Sequence, residues 1–152
     1  PTKGYRLTVE RDEHMVRIWL PSGRAISYFQ PEIRKQEAPW STPEKPVWLD
    51  NFTFMGLSDN NQWVRMSAHA GGVTGNIVQS MSGDILWSGI QNATNANLPV
   101  VLHVHDEIAV EIPDEEAEAA LVTLQQCMTK LPHWCSDMWL GADGIVTKRY
   151  TK

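Results

Sequence analysis

Short runs of β-branched and aromatic residues, separated by turn residues, dominate the first half of the chain. "YRLTVE" at 5–10 and "VRIWL" at 16–20 predict strands. "PSGR" at 21–24 predicts a turn, and "AISYF" at 25–29 the returning strand of a hairpin. Residues 30–48 carry four prolines and little periodicity, which predicts a loop. "NFTFMGLS" at 51–58 and "WVRMSA" at 63–68 predict two further strands around the turn "DNNQ". Gly71-Gly72 then interrupts the pattern.

From Thr74 the period lengthens. Ile77, Met81, Ile85 and Leu86 fall near helical spacing, which predicts a helix to about Asn92 with Thr74 as its cap. Residues 92–98 read as a polar loop. "VVLHVHDEIAVEIP" at 100–113 returns to strict alternation. Leu102 and Val104 share one face, Val101, His103 and His105 the other, and Ile108, Val110 and Ile112 again share a face. Two strands meeting at residues 105–107 are predicted. Pro113 then opens a second helix, with Asp114, Glu115 and Glu116 at its positive end. Ala117, Leu121, Leu124 and Met128 form its apolar stripe, and it ends near Lys130, before Pro132. The order of elements predicts an α+β fold: a mostly antiparallel sheet with helices packed on one face, as a single region over 1–152.

Composition narrows the class. A chain of 152 residues with 42% apolar and 20% charged residues can bury a core as an ordinary globular protein. No run of about 18 apolar residues exists and no basic-then-apolar leader opens the chain, so a cytoplasmic location is expected. Cys127 and Cys135, a lone pair with seven residues between them, predict free, half-buried thiols. The net charge of −5 is unusual for a free-standing nucleic-acid binder. Seven of the 13 Lys and Arg lie in residues 1–40, only Lys45 and Arg65 lie in 41–100, and "TKRYTK" holds three more. Any grip on phosphates is therefore modest and uneven.

The candidate chemistry sits at the meeting of the two late strands. Asp106 and Glu107 are adjacent carboxylates that repel each other, where a structural turn would favour Gly, Asn or a single Asp. A divalent cation offsets that repulsion, and carboxylate oxygens are natural Mg²⁺ ligands. A solvated acidic turn is the plain alternative. A zinc site at "HVHDE" is another, because His103 and His105 fall on one strand face. The hydrolase pattern His-x-His-x-Asp-His departs here at Glu107 and Ile108, and His14, His69 and His133 have no ligand spacing.

The same stretch resembles the motif C hairpin of family A, DNA polymerase I-like enzymes, with its Val-His-Asp-Glu core at Val104, His105, Asp106 and Glu107. "GNIVQSMSGDIL" at 75–86 resembles the helix before motif C, matching at Asn76, Ile77, Val78, Gln79, Asp84 and Leu86. "WLPSGRAISYFQPEI", "TFMG", Trp63, "GG" and the ending "LPHWCSDMWLGADGIVTKRYTK" follow the phage-type members in order. The resemblance implies two-metal phosphoryl transfer in template-directed DNA synthesis, with Mg²⁺ or Mn²⁺ and with primer-template DNA and dNTPs as partners. It implies that Asp106 is a direct metal ligand, Glu107 a weaker or outer one, and that His105 supports the primer terminus. Gln79 and Asn76 fall where the family contacts DNA. Three positions depart from the pattern: Gly75 replaces a Glu, Gly83 an Arg, and Val73 the basic residue after the glycine pair.

Motif A, with the second metal-binding aspartate, and motif B, with its nucleotide-binding Arg and Lys, have no counterpart in the chain. Neither does an exonuclease segment. The expectation is a C-terminal palm portion that contributes motif C, needs an N-terminal polymerase chain carrying motifs A and B or the rest of its own polypeptide, and is inactive by itself. A palm remnant that binds or interacts without catalysis is the alternative.

Overall fold

The computed structural model describes residues 6–150. Tyr5 of the first predicted strand and Thr151 and Lys152 of "TKRYTK" lie outside them. The fold is α+β, with one five-stranded sheet, one two-stranded sheet and two α-helices among the described residues. The residues fall into two compact units, one spanning Arg6–Ser80 and the other built from Met81 onward; the boundary lies inside the longer helix.

The first unit is an antiparallel meander of β1 (Thr8–Arg11), β2 (Met15–Trp19), β3 (Ala25–Glu37), β4 (Trp48–Leu57) and β5 (Trp63–Ala68), in sheet order 1-2-3-4-5. The predicted turns form. The Gly23 amide donates to the Leu20 carbonyl at 2.9 Å, and Leu20 N–H to the Arg24 carbonyl at 2.7 Å. Tyr28, 3% exposed, is the aromatic anchor of the sheet face, packed edge-on to Phe52 and Phe54 with centroids 5.2 and 4.9 Å away.

The expected loop at 30–48 is corrected. β3 continues through Glu37, and only residues 38–47 lie between the strands. Prolines argue for a loop because they cannot donate to a ladder. Here the chain absorbs Pro31 in a bulge, where the register with β4 shifts between Phe29 and Glu32 and Gln30 takes a φ of +45°. Arg65 reaches across from β5 to close the bulge. Its guanidinium donates to the Gln30 carbonyl at 2.9 Å and to Thr53 Oγ1 at 3.3 Å, and pairs with Glu32 at 3.0 Å. Thr53, 1% exposed, donates in turn to the Glu32 carbonyl at 3.0 Å.

Helix α1 runs Ala70–Asn95, so it begins before the predicted start and includes Gly71 and Gly72. Thr74 is not its cap, because its hydroxyl donates back to the Ala70 carbonyl one turn earlier, at 3.0 Å. His69 fills that role: its Nδ1 accepts the Gly72 amide at 3.2 Å. Histidine is outside the usual capping set, so composition does not announce it.

The second unit holds the end of α1, the strands β6 (Val100–Val104) and β7 (Glu107–Val110), and α2 (Ala117–Thr129), which follows a 3₁₀ turn at Asp114–Glu116. Pro113 precedes that turn as its cap. Ala93, Leu98, Ala120, Leu124 and Cys127 form the core, with Val100, Ile108, Val110, Ile112 and Met128 packed on it. The helices approach closely at Gly89, where a Cβ would lie 3.4 Å from Met128 Cα. Asn92 on α1 holds the end of α2 by donating to the carbonyls of Cys127 (3.1 Å) and Lys130 (3.3 Å). Both cysteines are free thiols, and both are buried rather than half-buried. Burial, followed by the nearby Asp137 carboxylate, pushes the Cys135 thiol pKa up. Among the described residues no helix is long and apolar enough to cross a membrane.

Candidate functional site

The β6–β7 hairpin closes through a two-residue tip, His105-Asp106, with Val104 paired to Glu107. Tight hairpin tips favour Asn-Gly or Gly-x because they require a left-handed φ. His105 supplies that φ itself, at +54°. The left-handed region costs a non-glycine residue roughly 1–2 kcal/mol, although histidine enters it more readily than most. The strain is held by the strands on either side. Ile108 and Val110 anchor β7 in the core, and Val110 pairs with Val100.

His105, Asp106 and Glu107 are all exposed. The strict alternation expected in β6 is interrupted: the register shifts between Val100 and Leu102, leaving Val101 unpaired and exposed. His103 therefore pairs with Ile108, and its ring lies against Trp87 with centroids 5.6 Å apart. His105 sits in the turn and not on the strand, so the two histidines do not share a strand face as the zinc alternative requires. Among the described residues no group of three or more His, Cys, Asp and Glu could hold a metal ion by itself.

Asp106 and Glu107 nonetheless fit one wall of a Mg²⁺ site. The ion usually keeps several waters and takes one or two protein carboxylates together with substrate phosphates. Two adjacent exposed carboxylates on an anchored turn supply that donor set. They do not supply a complete cage.

Glu107 has a partner that the sequence pattern did not reveal. The Tyr150 hydroxyl donates to its Oε2 at 2.8 Å. That hydrogen bond pushes the phenol pKa up, because losing the proton would remove the donor and set two negative charges together. The contact joins residues 43 apart, so no local spacing signals it.

Gln79 and Asn76 lie on the part of α1 that belongs to the first unit. Both are exposed. The Asn76 amide donates to the Tyr28 hydroxyl at 3.2 Å, which ties the helix to the sheet. Val73, Gly75 and Gly83 are all helical, and a Cβ at Gly75 or Gly83 would meet open space. Helix packing therefore does not require glycine at either position.

No family model matches the chain, and no solved structure matches it. The DNA polymerase of Bacillus phage SP02 is 29% identical to it over 146 residues, which is 96% of this chain and 21% of that polymerase. The chain is thus similar along nearly its whole length to a phage DNA polymerase while spanning about a fifth of that enzyme.

Proposed function

We propose that this chain is the motif C-bearing C-terminal palm portion of a family A-like DNA polymerase and takes part in two-metal nucleotidyl transfer. The observation that carries the reading is the hairpin tip. Val104-His105-Asp106-Glu107 presents two adjacent carboxylates to solvent on a turn anchored in a core. The end-to-end similarity to a phage DNA polymerase supports it.

In this reading Asp106 is the direct ligand and Glu107 holds the outer position. Bound there with a second ion, Mg²⁺ supplies charge neutralisation for the attacking 3′-hydroxyl and the leaving pyrophosphate. His105, whose backbone is left-handed, supplies the imidazole that steadies the primer terminus. Gln79 contributes a donor and an acceptor for the DNA groove. A single tip with one direct aspartate ligand forms half of such a site, so a partner segment brings the second aspartate and the nucleotide-binding basic residues.

The test is primer extension with the chain joined to, or mixed with, a polymerase segment carrying motifs A and B. Extension in the presence of Mg²⁺ that disappears in Asp106→Ala supports the reading. Extension that persists in that variant overturns the catalytic assignment and leaves a palm-like module that binds without catalysing.

A further inference from the structure

Residues 141–150 contain no helix or strand, yet the segment is fastened at a succession of points. Gln125 Nε2 donates to the Ala142 carbonyl at 3.3 Å. Gly144 lies so close to α2 that a Cβ there would stand 2.5 Å from Leu121 Cδ1. The Lys148 ammonium pairs with the Asp114 carboxylate, and the Tyr150 hydroxyl reaches Glu107. As the segment advances from 142 to 150, its partners retreat from 125 to 107. It is a strap laid antiparallel along α2, running past the 3₁₀ turn and ending on the hairpin tip.

The individual anchors are weak. The Lys148–Asp114 pair is exposed on both sides, and such pairs contribute little by themselves. Their order matters more than their strength, because each shortens the search for the next. The last anchor is chemically selective. An exposed glutamate has three rotatable bonds and loses up to about 2 kcal/mol of entropy when it is fixed. A lysine partner would fix it but would cancel the charge that a divalent cation needs. A phenol fixes one oxygen and leaves the charge in place.

We propose that Tyr150 is a positioning residue for Glu107: the strap sets its hydroxyl on Oε2, which leaves Oε1 oriented to accept from a metal-bound water. This rests on reading the tip as the carboxylate half of a polymerase site. Groups that orient ligands in this way typically change metal affinity by tenfold or more when removed.

The test compares Tyr150→Phe, Glu107→Gln and the double variant with the unaltered protein. One measurement is independent of activity: Mn²⁺-induced broadening of the Asp106 and Glu107 amide resonances in the full chain. The half-saturating Mn²⁺ concentration is expected to rise about tenfold in Tyr150→Phe and similarly in Glu107→Gln, with no further rise in the double variant. The other measurement is Mg²⁺-dependent primer extension in the active assembly, where half-saturating Mg²⁺ rises by the same factor and the KM for dNTP stays unchanged. Broadening that Glu107→Gln shifts and Tyr150→Phe leaves alone overturns the inference, as do additive effects or no broadening in the unaltered chain. Asp106→Ala separates the two readings. If extension survives it, the polymerase assignment fails, while the broadening comparison still decides the role of Tyr150.

Discussion

Glu32 and Glu107 are both exposed glutamates on strands, one in each unit, and they are held in opposite ways. Glu32 faces two guanidinium groups, Arg34 at 2.7 Å and Arg65 at 3.0 Å. The Arg34 hydrogen bond above all lowers its pKa below the ordinary value. Glu107 receives a neutral phenol. The first carboxylate is compensated and belongs to the bulge that bends β3. The second accepts from an uncharged donor and stands next to Asp106 in the chain. The carboxylate at the bulge gains cations from the chain; on the proposed function, the one at the hairpin is oriented for a ligand by a neutral donor.

The largest expected effect is at the tip. On the proposed function, Asp106→Ala should lower Mg²⁺-dependent extension by the assembly with motifs A and B by about 10²–10³-fold, as removal of a principal electrostatic group does, with an unchanged circular dichroism spectrum. An equal loss of folded signal would erase the contrast between the two carboxylate classes. At the bulge the outcome reverses. Arg65→Met should destabilise the protein by about 1–3 kcal/mol in denaturant titration by leaving the Gln30 carbonyl and Thr53 hydroxyl short of a partner. Extension measured below the unfolding midpoint should hardly change.

Smaller effects sharpen the contrast. His105→Gly should raise stability by roughly 1 kcal/mol, since glycine enters the left-handed region without the Cβ clash. The same change should slow extension. A gain in stability without a loss in rate would reassign His105 to the turn alone. The smallest effect is at Asp12, where the Arg17 guanidinium and the amides of His14 and Met15 lower the carboxyl pKa from 3.8 to about 2. A depressed carboxylate stabilises fully above its ordinary pKa and loses that contribution as pH falls through 3.8 towards about 2. Asp12→Asn should therefore lower stability slightly near neutrality and leave it unchanged below about pH 2, which flattens the acid end of the stability profile.

Much of the fold was legible in the sequence. β5 and the turn before it lie where the aromatic and turn residues predicted them, and the late hairpin lies where the alternation did. Two errors concern local breakers. Pro31 was overridden by partners distant in sequence, because Arg65 and Thr53 hold the bulge from other strands. Propensity sums over neighbours and carries no record of such contacts. The Gly71-Gly72 pair was overridden by a near neighbour, His69, which caps a helix that runs through the glycines although histidine is outside the usual capping set.

The candidate site divides along the same line. Adjacent carboxylates at the junction of two alternating runs are a local pattern, so the sequence alone placed an exposed acidic junction at residues 105–107, where the structure puts His105-Asp106 between the strands and Glu107 at the start of the second. The left-handed conformation of His105, the separation of His103 from it, the engagement of Asn76 with Tyr28 and the strap that delivers Tyr150 to Glu107 were decided only by tertiary structure. Each of these depends on where a distant backbone passes or on a register shift that one unpaired residue introduces. Periodicity is blind to both, because it fixes which face a residue shares and not what comes to meet it.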